Sequence, residues 1–318
     1  MTARSRPAAA ALAGLAASAL VLTACGGGEQ AAPGGDDKIE VVASTTVWAS
    51  VVQAVGGDSV QVEPIITDPG ADPHSYESSP QDAAKVTDAD LVVFNGGGYD
   101  EFMAQILAGS GRDKPTVVAV RDEPEGVPAR HPGEHDHTGH DHSVNEHVWY
   151  DLHVVHEVAD QIADELGRLQ PARATEFEQA AGRFEQEIGA LEGRVGEIAA
   201  AHQGKKVLVT EPIAHYLVAA AKLQDITPPS FVNAVEAETD PSAAAVAEIH
   251  NAVGSGQAVA LIYNPQTESP VTRNVRTAAE QHRLPVVEMT ETLPEGRTYV
   301  QWMDAQITAL QNALNQNR

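Results

Sequence analysis

The spacing of apolar residues changes character several times along the chain. Residues 39–44 (Ile39-Glu40-Val41-Val42-Ala43-Ser44) are mostly apolar and predict a strand. Residues 47–55 carry apolar positions at helical spacing and stop at Gly56-Gly57. A second strand is predicted at 60–67. Pro80 then opens a short helix that includes Asp82 and Val86. Residues 89–94 are continuously apolar apart from Asp90, as expected of a strand covered on both faces. Asn95-Gly96-Gly97-Gly98 turns into a helix through Phe102 and Leu107, and 115–120 is a further strand. Strands alternating with helices predict a mainly parallel sheet flanked by helices.

The middle of the chain is helical. Residues 152–169 form one predicted helix, and Pro171 restarts the pattern. Phe177, Phe184, Ile188, Leu191, Val195 and Ile198 then recur at intervals of seven, four, three, four and three. A coiled-coil seam would show such a stripe. So would one long helix lying across two lobes, which the α/β segments on either side favour. Beyond Gly204 the strand–helix alternation resumes. Strands are predicted at 205–210, 259–263 and 285–290, and helices at 240–253 (with Asp240 as N-cap), 270–282 and 298–314.

Composition narrows the class. The 318 residues exceed one ordinary domain and suit two lobes. Hydrophobic residues make up 42% of the chain and aromatic ones only 4%, so the core is largely aliphatic. A net charge of -25 excludes a basic nucleic-acid-binding surface and suits a protein that handles cations. At the N-terminus, Arg4 and Arg6 precede an apolar run at 8–22 that is too short for a comfortable membrane span. Leu22-Thr23-Ala24-Cys25 resembles the lipobox of bacterial lipoproteins, and Cys25 is the only cysteine. Residues 1–24 are expected to be a removed signal peptide. Cys25 is expected to carry the lipid, palmitate included, and 25–37 to be a flexible tether. The mature protein would then sit on the extracytoplasmic face of the cell membrane, attached by its lipid alone.

Candidate chemistry centres on histidine. Asp68-Pro69-Gly70 breaks the strand before Asp72-Pro73-His74, and Pro73 stiffens the approach to His74. His74 is therefore either a metal ligand at a strand end or a surface histidine in a turn. Residues 131–142 contain His131, His135, His137, His140 and His142 and no apolar residue. Such a loop either captures Zn²⁺, Cu²⁺ or Ni²⁺ loosely or is a solvated polar insertion. His147 precedes Val148-Trp149, which would pin it against packed structure, and is taken as a second ligand. His153 and His156 are expected to be exposed helix positions. Glu211 and Glu291 each fall just beyond a predicted strand, and His215 follows Glu211 by four residues.

Taken together, His74-Ser75-Tyr76-Glu77 with Pro80 and Asp82, Ala89-Asp90-Leu91 leading to Asn95-Gly96, His147-Val148-Trp149 after a histidine-rich loop, the long helix, Thr210-Glu211 and Thr290-Glu291 resemble the cluster A-I metal-binding lipoproteins of bacterial ABC importers. The resemblance covers essentially the whole mature chain. It implies an α/β fold of two lobes, 38–170 and 204–318, bridged by one rigid helix at 171–203, with the metal in the cleft. It also implies four ligands, matched here by His74, His147, Glu211 and Glu291. The third is histidine in many zinc receptors and glutamate in many manganese receptors. The fourth is usually aspartate, so Glu291 departs from the pattern by one carbon. His215 is the alternative third ligand and Glu268 the alternative fourth.

Two neutral imidazoles and two carboxylates neutralise a divalent cation. The sequence thus reads as a monomeric extracytoplasmic receptor, not an enzyme. It would capture Zn²⁺, with Mn²⁺ or Fe²⁺ as the alternative cargo, and pass it to a membrane permease. Protonation of His74 and His147 would weaken binding towards pH 6. A zinc metallohydrolase is the competing reading, since His/His/Glu plus water is a catalytic set, although no H-E-x-x-H helix is present. A surface adhesin or metal buffer is the third.

Overall fold

The computed structural model describes residues 38–111, 114–120, 145–237 and 239–316. The signal segment, Cys25, the tether and His131, His135, His137, His140 and His142 lie outside the described residues. Two four-stranded sheets organise the rest. The first comprises β1 (Ile39–Thr45), β2 (Val60–Ile66), β3 (Leu91–Gly96) and β4 (Thr116–Val120), in the order β2-β1-β3-β4. The second comprises β5 (Lys206–Val209), β6 (Gln224–Asp225), β7 (Ala258–Tyr263) and β8 (Val286–Glu288), in the order β6-β5-β7-β8. Every ladder in both is parallel. Leu91 to Phe94 are buried without alternation because helices cover both faces. The two sheets repeat one topology, and in each the order reverses beside the first strand, where open α/β sheets bind ligands at their carboxyl ends.

The helices of the first half are α1 (Thr46–Gly56), α2 (Pro80–Asp88), α3 (Glu101–Ser110) and α4 (Leu152–Leu169). Next comes α5 (Ala174–His202), 29 residues long, after a 3-10 turn at Pro171–Arg173. Its stripe from Phe177 to Ile198 is buried against α1 and α4 on one side of the sequence. The second half contributes α6 (His215–Ala220), α7 (Pro229–Glu236), α8 (Ala243–Gly254), α9 (Pro270–Gln281) and α10 (Tyr299–Gln316). The stripe of α5 also meets α6 and α10. One helix therefore serves both halves, and the coiled-coil alternative has no role.

Local chemistry explains most boundaries. The Ser79 hydroxyl accepts from the Asp82 N–H at 3.2 Å, and the Asp82 carboxylate accepts from the Ser79 N–H at 2.8 Å, a reciprocal cap for α2. Asp82 also accepts from the Tyr76 hydroxyl at 3.1 Å. The motif that follows His74 is thus an anchor for the His74 loop. Asp82→Ala is expected to cost about 1 kcal/mol or somewhat more of folding free energy, measured by urea denaturation. Gly96 has φ +77°, and a Cβ there would stand 2.5 Å from the Val120 carbonyl oxygen. Three features differ from the sequence expectation. Ser242, whose hydroxyl accepts from the Ala245 N–H, caps α8 in place of Asp240. β6 and α7 were not foreseen, because β6 is two exposed polar residues whose pairing is set by its neighbour β5. β8 is shorter than predicted and ends at Glu288.

Candidate metal centre

The loop after β2 carries His74, whose N–H donates to the Asp72 carboxylate at 2.9 Å. His147 leads a 3-10 turn, Val148–Tyr150, and does not end a strand. Glu211 follows β5, and Glu291 follows β8 at a distance of three residues. His74, His147 and Glu291 come together, with one donor atom from each all within 4.8 Å of one another. The His74 Nε2 lies 3.8 Å from Glu291 Oε2. His147 and Glu291 are both 0% exposed. Among the described residues, His147 Nε2 and Glu291 Oε2 are buried and make no hydrogen bond. A buried polar atom without a partner is costly, and a cation between these atoms would satisfy both.

The surroundings prepare each donor. His147 Nδ1 stands 3.2 Å from Asn145 Oδ1. That amide is oriented by its own donation to the Pro212 carbonyl at 3.1 Å. The proton consequently sits on Nδ1, and the Nε2 lone pair faces the site. Tyr99 packs edge-on against His74 at 4.9 Å and at a tilt against Trp149 at 4.5 Å. Trp149 in turn meets His147 at 5.2 Å. Burial lowers the His147 pKa well below the ordinary histidine value, helped by His74 and His215, so this imidazole stays neutral. Burial raises Glu291 well above the carboxylate range, with the Glu211 and Asp72 charges adding to it.

Glu211 stands outside the three-residue cluster. Its two oxygens accept from the Asn264 amide and the Thr267 hydroxyl. The same Asn264 amide nitrogen donates to Glu291 Oε1 at 2.7 Å, so one side chain holds both carboxylates. Asn264 was not singled out from the sequence. Its only signal is a buried amide at the exit of β7. Neither alternative ligand joins the cluster. His215 is exposed and packs on the Tyr216 ring, and Glu268 binds the Tyr263 hydroxyl and Arg273 Nε. His153 and His156 lie on α4 and pair with Glu157 and Asp160 one turn on; His153 is exposed as expected, whereas His156 is half-buried and also faces Glu185 of α5. A second set, Glu146, His147 and Glu236, meets the same 4.8 Å limit and shares His147. Burial, then the Glu146 and Glu211 charges, pushes Glu236 up to about 9.

Residues 41–313 match the family described as the periplasmic component A of the zinc-uptake complex. The zinc-binding lipoprotein AdcA of Streptococcus pneumoniae is 25% identical over 307 residues, which are 94% of this chain and 59% of that protein. The manganese-binding lipoprotein MntA of Bacillus subtilis is 27% identical over 192 residues, 59% of each chain. The chain thus spans 59% of the length of these curated relatives. Among solved structures, the periplasmic zinc binding protein TroA from Treponema pallidum aligns over 87% of this chain and 99% of its own, with a TM-score of 0.69 and 20% identity. At that identity the likeness bears on the fold alone.

Proposed function

The chain belongs to the periplasmic zinc-uptake component A family, a family of solute-binding receptors and not of enzymes, and from that premise we propose that it captures a divalent transition metal outside the cytoplasm for an ABC importer. Zn²⁺ is the favoured cargo, with Mn²⁺ the alternative, and a membrane permease is the recipient. His74, His147 and Glu291 bind the ion, and Glu211 is the fourth ligand once it gives up its bonds to Asn264 and Thr267. The lipid on Cys25 keeps the receptor at the membrane, and His131, His135, His137, His140 and His142 gather metal for the site. One observation carries this reading. Two imidazoles and a carboxylate from different segments converge, and two of their buried donor atoms are otherwise unsatisfied.

The test is metal content and competitive affinity for Zn²⁺ and Mn²⁺ on protein lacking residues 131–142. One tightly held ion, lost in His74→Ala, is the expected result. No tight ion after the deletion would move the site to the histidine-rich loop and end the cleft reading. The raised pKa of Glu291 favours the protonated form in the metal-free site, and an arriving cation competes with that proton. Affinity is therefore expected to fall as pH falls from 8 to 5.5, with protons released when the ion binds. His147 contributes to that fall only at lower pH, since its pKa is depressed. This revises, for His147, the expectation that its protonation weakens binding towards pH 6. Isothermal titration in buffers of different ionisation enthalpy measures the proton count, and an affinity flat across this range would rule out the proposed ligand set.

A further inference from the structure

Gln266 lies in the loop between β7 and α9 and touches none of the proposed donor atoms, yet it joins the segments that carry them. Its Oε1 accepts from the Glu291 N–H at 2.5 Å. Its Nε2 donates to the Ala71 carbonyl, three residues before His74, and to Thr292 Oγ1, both at 3.0 Å. The Thr292 hydroxyl donates to the Pro69 carbonyl at 3.0 Å. The Gln266 N–H donates to Asn264 Oδ1 at 2.9 Å, which turns the Asn264 nitrogen towards Glu211 and Glu291. One amide side chain and its own peptide N–H thus connect the His74 loop of the first half to both carboxylates of the second. The amide orientation follows from its partners, since an N–H can only donate and a carbonyl can only accept.

We propose that Gln266, with Thr292, is a positioning clamp that holds the His74 loop against the Glu291 segment and so sets how slowly the bound cation leaves. The proposal rests on the metal-receptor reading above. When the two segments part, the bonds to Ala71 and Pro69 are the ones that span the gap, and the bond to the Glu291 N–H carries that parting to the ligand. Removing the clamp leaves the donor set complete but lets the two sides separate more readily. The effect therefore falls on the rate of release, with little change in coordination. Couplings of this kind typically change affinity by about 5- to 150-fold.

Gln266→Met keeps the length and volume of the side chain and removes all of its hydrogen bonds, and Thr292→Val is isosteric and removes two, those to Gln266 and to the Pro69 carbonyl. On the full mature chain, Zn²⁺ release to an excess of chelator is followed by stopped flow, and the Co²⁺ visible spectrum reports the donor set. The expected result is release faster by about tenfold in Gln266→Met, with the Co²⁺ band positions of the wild type. Thr292→Val is expected to shift release in the same direction, and the double variant to show less than the product of the two single effects. Thr292→Val keeps the proposal testable if Gln266→Met does not fold. Wild-type release rates in either folded variant would overturn the clamp while leaving the receptor reading intact. Faster release with altered Co²⁺ bands would also overturn it, because Gln266 would then be shaping the coordination itself. Wild-type protein that binds neither ion would overturn the receptor reading and the clamp with it.

Discussion

Glu291→Gln is expected to lower metal affinity by more than about 100-fold while raising the melting temperature of the metal-free protein. The two effects share one cause. Glu291 is fully buried, its Oε2 makes no hydrogen bond among the described residues, and Glu211 lies close enough to repel its charge. Its folded-state pKa is raised above the unfolded value. The stability linked to this group is therefore full below the ordinary carboxylate range and is lost as pH rises through the raised value. Without metal, the folded protein at pH 8 must either keep a proton on Glu291 or bury a charge beside Glu211. Glutamine carries no charge at any pH and can still accept from Asn264. A gain of roughly 2–4 °C at pH 8 is expected, corresponding to about 1 kcal/mol in a chain of this size, and it should shrink at pH 5. Scanning calorimetry of the two metal-free proteins at both pH values measures it. A variant less stable than wild type at pH 8 would contradict the buried-charge account, and one that retains wild-type affinity would remove Glu291 from the ligand set.

Trp149→Ala is expected to cost about 3–5 kcal/mol of folding free energy and to weaken metal binding as well. Trp149 is 1% exposed. Its ring meets Tyr99, which holds His74, and it meets His147 directly. The Trp149 carbonyl accepts from the Tyr299 hydroxyl at 2.7 Å, joining this layer to the start of α10. Truncation opens a cavity beside the His147 imidazole and under Tyr99, so His147 directly, and His74 through Tyr99, lose packing that fixes their direction. The indole Nε1 has no partner among the described residues, so its removal leaves no polar group stranded, and the loss is one of packing. Trp149→Phe, which retains an aromatic face, should recover most of the stability. Urea unfolding of the three metal-free proteins separates these outcomes, and a loss below about 1 kcal/mol in Trp149→Ala would show that the aromatic layer does not support the site.

Much of the architecture is written in local periodicity. The unbroken apolar run at Leu91–Phe94 pointed to a strand covered on both sides, and the Phe177-to-Ile198 stripe to a long helix with one buried face. Pro80 and Pro270 mark helix starts because proline tolerates the first turn. His74 and His147 could be singled out because stiff or bulky neighbours surround them in the sequence. Other features depend on partners distant in the chain. β6 exists because β5 offers it a ladder. Glu211 and Glu291 look alike in sequence, each near a strand end, yet one has its oxygens occupied by Asn264 and Thr267 while the other keeps a bare buried oxygen facing His74. Asn264 and Gln266 carry no helical or strand period that would distinguish them from ordinary loop residues. The two parallel sheets, the helix that serves both and the residue types of the candidate site were legible in the sequence alone, because these follow from short-range sterics and the burial of apolar faces. Which donors are free to bind, which are already satisfied and which amides connect them emerges only from the folded arrangement, because hydrogen bonding among buried polar groups depends on distances between segments as much as 249 positions apart.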